Sequence, residues 1–344
     1  MNEASRPHAE ERENAPPRPE VTVVIPTRDR WELLSKHGLL SALRQENVDC
    51  EVIVVDDGSV DGTVSRLSEI HDSRLRVIRH EQARGMAGAR NAGIAVARAE
   101  WLAFLDDDDL WSPRKLRVQL DAARLTGADF VYAGAVLVYE TGALLAADRV
   151  PNAGDLSSLL LEGDVIPAGA SNILVRTDLV RGLGGFDEDL PYSADWDLWI
   201  RLSLAAQAEA CDEILVAHFK HGGNDLFRSR PDVVAEFDRV IKRHAGDVRP
   251  GAARHGRRGL AEWLVHEYRE AGFSRPRAYL EAMRAQPTLL RAVGTAGHLL
   301  QERARRAVAS TVRRPSAGAS ATVGDAVAAP DWLHVYRSGP DQRL

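Results

Sequence analysis

The most chemically loaded stretch of the chain is FLDDDDLW (residues 104–111), in which four adjacent carboxylates, Asp106 to Asp109, follow an apolar run. Like charges this close repel one another, and taking them out of water costs free energy unless something positive sits among them. A hard divalent cation, Mg2+ or Mn2+, is such a partner, because it accepts carboxylate oxygens and leaves positions open for phosphates. On an extended segment alternate residues share a face, which predicts Asp106 and Asp108 on one side and Asp107 and Asp109 on the other. For the tetrad alone the competing reading is a solvated acidic loop that also caps the helix starting near Ser112-Pro113. Two more acidic groups stand elsewhere, DDGS at 56–59 and SADWDLWIRL at 193–202.

The elements that must position these residues alternate in type. VTVVIP (21–26), EVIVVDDGS (51–59), LRVIRH (75–80) and WLAFLDDDD (101–109) read as short buried strands. Between them WELLSKHGLLSALRQ (31–45), DGTVSRLSEI (61–70) and GARNAGIAVARAE (88–100) carry helical spacing. This βα alternation predicts an α/β fold with a mostly parallel, Rossmann-like sheet and helices on both faces. Ligands of such sheets sit beyond the carboxyl ends of the strands, where Thr27, Asp56–Asp57 and Asp106–Asp109 all fall. A second half follows: a hairpin over 130–145 turning at Glu140-Thr141-Gly142, a strand, short helix and glycine turn over 171–190, a helix over 195–207 and a strand over 213–221.

Composition narrows the class. Of 344 residues, 44% are hydrophobic and 27% charged, as in ordinary globular proteins, and the net charge of −6 argues against nucleic acid as a partner. Cys50 and Cys211 are the two cysteines, which fits a reducing cytoplasm and excludes a thiolate zinc site. No run approaches the length of a membrane span. Residues 1–19 read as a disordered leader and 315–344 as a disordered tail. Residues 245–314 read as a basic helical extension; 245–315 hold 14 arginines, no lysine and six acids. The arginine-rich helix 299–314 reads either as a solvated face or as a peripheral contact with anionic lipid heads, which would hold a cytoplasmic protein to the inner face of the membrane.

Several families place DxD at a strand end. A haloacid-dehalogenase-like phosphatase would carry the motif at its first strand and a Thr or Val after it; neither holds here. A dinucleotide-binding Rossmann domain needs GxGxxG after the first strand, and the chain has PTRDRWE there. Four stretches, VTVVIPTRDR (21–30), EVIVVDDGSVDGT (51–63), GARNAGIAVARAEWLAFLDDDDLWSP (88–113) and GGFDEDLPYSADWDLWIRL (184–202), instead make the chain resemble a family 2 glycosyltransferase of the GT-A fold over roughly residues 20–225.

The resemblance implies a GT-A domain over 20–240, with a nucleotide-binding half (20–112) and an acceptor and base half (113–240). It implies an inverting enzyme that moves a sugar from a nucleotide-diphosphate donor, a UDP-sugar being favoured, to a saccharide or lipid-linked acceptor in polysaccharide or glycolipid assembly. Carried over, Pro26, Thr27 and Arg28 would line the base and Asp57 would accept from its ring N–H, while Asp56 orders the DGS turn. Arg90 and Asn91 would brace the loop beside ribose and diphosphate, with a packing role for Asn91 equally open. Asp106 and Asp107 would contact the nucleotide, Asp108 would ligate Mg2+ or Mn2+ with Asp106 as a second ligand, and His221 would reach the metal or diphosphate. Asp195 would be the general base. The family usually has Glu immediately before that Asp, and this chain has Ala194. A nucleotidyltransferase or an inactive sugar-nucleotide-binding module are the alternatives; PTRDRWELL lacks the glycine-rich loop of the former.

Overall fold

The computed structural model describes residues 18–139, 144–148, 150–161, 163–220, 233–244, 246 and 329–337. Four parallel strands form its first half: β1 (Val21–Thr27), β2 (Cys50–Asp56), β3 (Leu75–Arg79) and β4 (Trp101–Phe104), in the order β3-β2-β1-β4. Every residue of β1 and β2 is buried, and the central runs 23–26 and 52–55 are continuously apolar rather than alternating. Side-chain alternation then splits the core between the two faces. Val24, Ile53, Val55 and Phe104 pack on one face with Ile94, Phe186 and Trp199, and Val23, Ile25, Val52 and Val54 on the other with Leu34, Leu39 and Trp111.

The intervening helices are α1 (Trp31–Lys36), α2 (Gly38–Leu43), α3 (Thr63–Ser68) and α4 (Gly85–Val96). The single helix expected over 31–45 is two, broken at His37, whose ψ of −87° is not helical. The break lets α2 press on the acidic loop: Gly38 N–H donates to the Asp107 carbonyl at 3.3 Å, and a Cβ on Gly38 would lie 3.0 Å from the Asp106 carbonyl oxygen.

Beyond β4 the sheet turns mixed. It continues through β8 (Leu174–Arg176), β6 (Phe130–Tyr139), β9 (Ala208–Lys220) and the two-residue β5 (Leu110–Trp111), with β7 (Leu144–Asp148) paired to β6. Here β8 is antiparallel to both β4 and β6, β5 is antiparallel to β9, and β6 and β9 run parallel. The hairpin and the glycine turn stand where expected, although Glu140-Thr141-Gly142 lie outside the described residues. Helices α5 (Lys115–Thr126), α6 (Leu156–Leu160), α7 (Thr177–Gly182), α8 (Ala194–Ala205) and α9 (Val233–Arg243) complete this half.

Trp196 and Trp199 are core residues at 4% and 0% exposure. Trp196 donates to the Leu160 carbonyl and stacks on Phe237, while Trp199 meets Phe186 edge-on. Within the stretch expected as a disordered tail, Asp331–Leu333 and the short helix His334–Arg337 are ordered. Leu333 is fully buried against a cluster with Leu40, Leu110 and Val138, and Trp332 donates to the Ile214 carbonyl. The leader through residue 17 and the arginine-rich helix 299–314 lie outside the described residues. No helix among those described is long and apolar enough to cross a membrane.

Candidate functional site

The ends of β1, β2 and β4 meet at one edge of the parallel half, and the acidic loop hangs from β4. Strand geometry stops at Phe104; Asp109 N–H bonds back to the Asp106 carbonyl at 3.2 Å, so residues 106–109 form a turn. The two-and-two alternation expected of an extended run is therefore corrected: Asp107 and Asp108 turn together toward Arg30, Asp106 turns toward Arg90, and Asp109 turns inward. Asp106 accepts from the Arg90 guanidinium, while its backbone N–H donates to Ser171 Oγ at 3.0 Å. Asp107 accepts from Thr27 Oγ1 at 2.7 Å. One nitrogen, Arg30 Nη1, lies 3.3 Å from Asp107 and 3.2 Å from Asp108. Asp109 turns inward, accepting from Ser171 Oγ and from the Phe219 N–H.

These partners do not neutralise the loop. Burial and the Asp108 charge, opposed by Arg30 and Thr27, push Asp107 up to about 7. Burial and the charges of Asp108 and Asp106 hold Asp109 well above the usual carboxylate range. Asp109 is thus a structural anchor for the turn, with Trp111 tied to the same post through its Nε1–H on the Ser171 carbonyl. Asp106, Asp107 and Asp108 remain at the mouth.

Below them β1 and β2 are laced together. Asp29 adopts a left-handed backbone, φ 53°, held by Asp29 N–H on Ser59 Oγ and Val60 N–H on Asp29 Oδ1. That conformation is uncommon for a non-glycine residue. It turns the chain so that Arg30 faces the aspartates while Arg28, 58% exposed along its side chain, faces solvent. Asp56, fully buried, receives Ser59 N–H and so orders the DGS turn. Asp57 receives His80 Nδ1, Arg84 N–H and Gly85 N–H, which fixes the start of α4. Pro26 and Thr27 are buried at the strand end.

Helix α4 then delivers Arg90 to the site, 5% exposed and over the Phe186 ring at 5.2 Å. Asn91 serves packing, its amide bracketing Phe186 by bonding both the N–H and the carbonyl. Gly185 is required beside it: φ is +72°, and a Cβ there would meet the Asn91 amide oxygen at 2.5 Å. This turn leads to α8, whose first turn carries Asp195 and Asp197. Burial raises the Asp195 pKa while the Arg90 charge opposes the rise. Asp164 is its neighbour in charge; desolvation and Asp195 push it upward, although one side of it stays open to solvent. Asp197 points away into Arg201, Arg243 and His244.

The structure thus brings Thr27, Arg90, Asp106, Asp107 and Asp108 together, with Asp195 in electrostatic reach of Arg90 and Asp106. Arg28 stands at the rim, and His221 lies outside the described residues. Arg30, Ser171, His80 and Asp164 went unread in the sequence; for none of them does local spacing give a signal. Among the described residues no cluster of three or more His, Cys, Asp or Glu is arranged to hold a metal. The convergence of two carboxylates on one Arg30 nitrogen nonetheless fits Mg2+ or Mn2+, which bind through one or two carboxylates plus waters and phosphate oxygens.

Residues 22–153 match the family model described as Glycosyl transferase family 2. The succinoglycan biosynthesis protein ExoO of Rhizobium meliloti (strain 1021) is 36% identical over 160 residues, covering 46% of this chain and 44% of that protein. Residues 22–153 thus form a glycosyl transferase family 2 segment. Another relative, the Escherichia coli UDP-Glc:alpha-D-GlcNAc-diphosphoundecaprenol beta-1,3-glucosyltransferase WfgD, is 34% identical over 112 residues, covering 33% of this chain and 44% of that protein. The chain spans less than half the length of these curated relatives. Among solved structures, S. aureus TarS 1–349 in complex with UDP-GlcNAc superposes with a TM-score of 0.57 at 20% identity, over 77% of this chain and 79% of that one. That likeness is one of fold, and it places the mixed α/β sheet among GT-A glycosyltransferases.

Proposed function

We propose that the protein is an inverting, metal-assisted glycosyltransferase that moves a sugar from a nucleotide-diphosphate donor, a UDP-sugar in the first instance, to a saccharide or lipid-linked acceptor. The observation that carries this reading is the pairing of an under-neutralised aspartate loop at the strand ends with a raised-pKa carboxylate, Asp195, linked to it through Arg90. The names of two relatives support its direction, one for succinoglycan biosynthesis and one for transfer from UDP-Glc to a diphosphoundecaprenol-linked sugar.

In this reading Pro26, Thr27 and Arg28 bound the base pocket at the end of β1, with Asp57 at its floor beside β2. Asp106 and Asp107 face the ribose and diphosphate; Asp108 would hold Mg2+ or Mn2+ together with Asp107, the two carboxylates that converge on Arg30 Nη1, and with Asp106 as a further ligand. A divalent cation on these carboxylates supplies positive charge for the leaving diphosphate. Arg90, buried and bonded to Asp106, also acts on Asp195 through its charge and so couples the two halves of the site. Asp195 accepts the proton of the acceptor hydroxyl as its oxygen attacks the anomeric carbon; a raised pKa makes it the stronger base. Attack from the face opposite the diphosphate inverts the anomeric configuration. His221 serves the metal or the diphosphate.

The test is turnover of UDP-Glc and other nucleotide sugars with Mn2+ and a lipid-diphosphate-linked sugar, followed by NMR of the product. Release of UDP with a product of inverted configuration is expected. Retention of configuration contradicts the single-displacement role of Asp195, and no nucleotide release from any donor contradicts the enzyme reading itself.

A further inference from the structure

Arg30 stands three residues beyond Thr27, on a loop outside the parallel strands, yet its guanidinium enters the aspartate turn. A single nitrogen, Nη1, is 3.2–3.3 Å from an oxygen of Asp107 and an oxygen of Asp108. Two carboxylates converging on one positive point is the donor arrangement that a hard cation also requires. Arg30 is not carried there by the core: its side chain keeps 34% of its surface exposed. What aims it is the left-handed Asp29, at φ 53°, pinned from both sides by the DGS loop through Ser59 Oγ and the Val60 N–H. A backbone conformation of this kind is unfavourable for a non-glycine residue and persists only where its surroundings impose it.

We infer that Arg30 is the resident counter-ion of the aspartate loop, occupying the cation's seat on Asp107 and Asp108 until metal displaces it. The other guanidinium of the site differs: Arg90 is 6% exposed along its side chain and bonds Asp106, so it is a fixed part of the wall. The inference rests on the metal reading of the loop given above and adds a competition to it. Arg30 keeps four adjacent carboxylates tolerable in the metal-free protein, and by the same contact it weakens their hold on the metal. It is a positioning residue for the cation. Its loss therefore acts in opposite directions on the two states, which a residue that merely supports the loop would not do.

The experiment is titration of the full chain with Mn2+ alone, followed by electron paramagnetic resonance of the free ion, for wild type, Arg30→Gln and Arg30→Lys. Thermal unfolding of the metal-free proteins runs in parallel and checks that each variant is folded. Arg30→Gln is expected to bind Mn2+ on the order of ten-fold tighter than wild type while unfolding at a lower temperature without metal. Arg30→Lys, which keeps the charge, is expected to bind close to wild type. If wild type binds Mn2+ and Arg30→Gln binds equally or more weakly, the counter-ion inference is overturned while the metal reading stands. If neither protein binds Mn2+, the metal reading and the inference fall together.

Discussion

At the end of β4, Asp107 sits among three other aspartates, and burial and Asp108 push it up to about 7 despite Arg30. On α8, Asp197 sits among Arg201, Arg243 and His244; burial alone would raise it, yet those three partners hold it down to about 2. Both carboxylates are buried and both are hydrogen-bonded, so burial and bonding do not distinguish a working acid from a structural one. The sign of the remaining charge does. The loop is left short of positive charge and waits for more, whereas the α8 cluster has a surplus and is complete. The Asp197 cluster also ties α9 to α8, through Arg243 on Asp197 and Asp187, and α9 returns the favour with Glu236, which accepts from the Tyr192 and Ser193 N–H groups.

The largest effects should separate two aspartates only two residues apart on α8. Asp195→Asn is expected to lower turnover about 10²- to 10⁴-fold, the range of a general base, with little change in unfolding temperature. Asp197→Ala is expected to cost about 3 kcal/mol, roughly 10 °C in the unfolding midpoint, by leaving Arg201, Arg243 and His244 without the buried carboxylate they share. Turnover and calorimetry on the two variants check both. A stability loss in the first with none in the second would break the comparison.

A smaller effect of opposite sign is expected in the loop. Asp107→Asn removes a carboxylate that the metal-free protein holds at a penalty, so metal-free stability should rise by about 1 kcal/mol while the response to Mn2+ and nucleotide is lost. Denaturant melts with and without both ligands measure this, and a variant less stable than wild type without metal would contradict it.

The smallest signal is in pH. Asp107 binds its proton more tightly folded than unfolded, so its contribution favours the folded metal-free protein at low pH, fades as pH rises from about 4, and is gone above about 7. Asp197 behaves inversely, contributing stability above about 4 that is lost as pH falls toward 2. The difference in stability between wild type and each of Asp107→Asn and Asp197→Ala across pH 2–8 isolates the two slopes, and slopes of the same sign would remove the distinction drawn here.

Much of this contrast lay in local pattern. The apolar runs that became β1, β2 and β4 and the acids at their ends were legible because a strand covered on both faces is apolar throughout, and its end is where polar residues resume. What was not legible depended on backbone turning away from regular geometry or on distant partners. The carboxylate directions of 106–109 follow from a turn rather than a strand, Arg30 is aimed by a left-handed Asp29, and Ser171, which holds both Asp106 and Asp109, comes from over 60 residues further along the chain. Asp57 could be assigned to the right strand end, but its bonds to His80, Arg84 and Gly85 depend on how α4 begins.

The central claim is that the aspartate loop is a clamp for a cation and a nucleotide diphosphate. It is tested most directly by thermal unfolding of wild type and Asp108→Ala with UDP, GDP, dTDP, CDP and ADP, each with and without Mn2+. The account predicts a metal-dependent rise in midpoint for one nucleotide, UDP in the first instance, that vanishes in Asp108→Ala. A wild-type midpoint unmoved by every nucleotide at saturating Mn2+, or an equal rise in the variant, would contradict it.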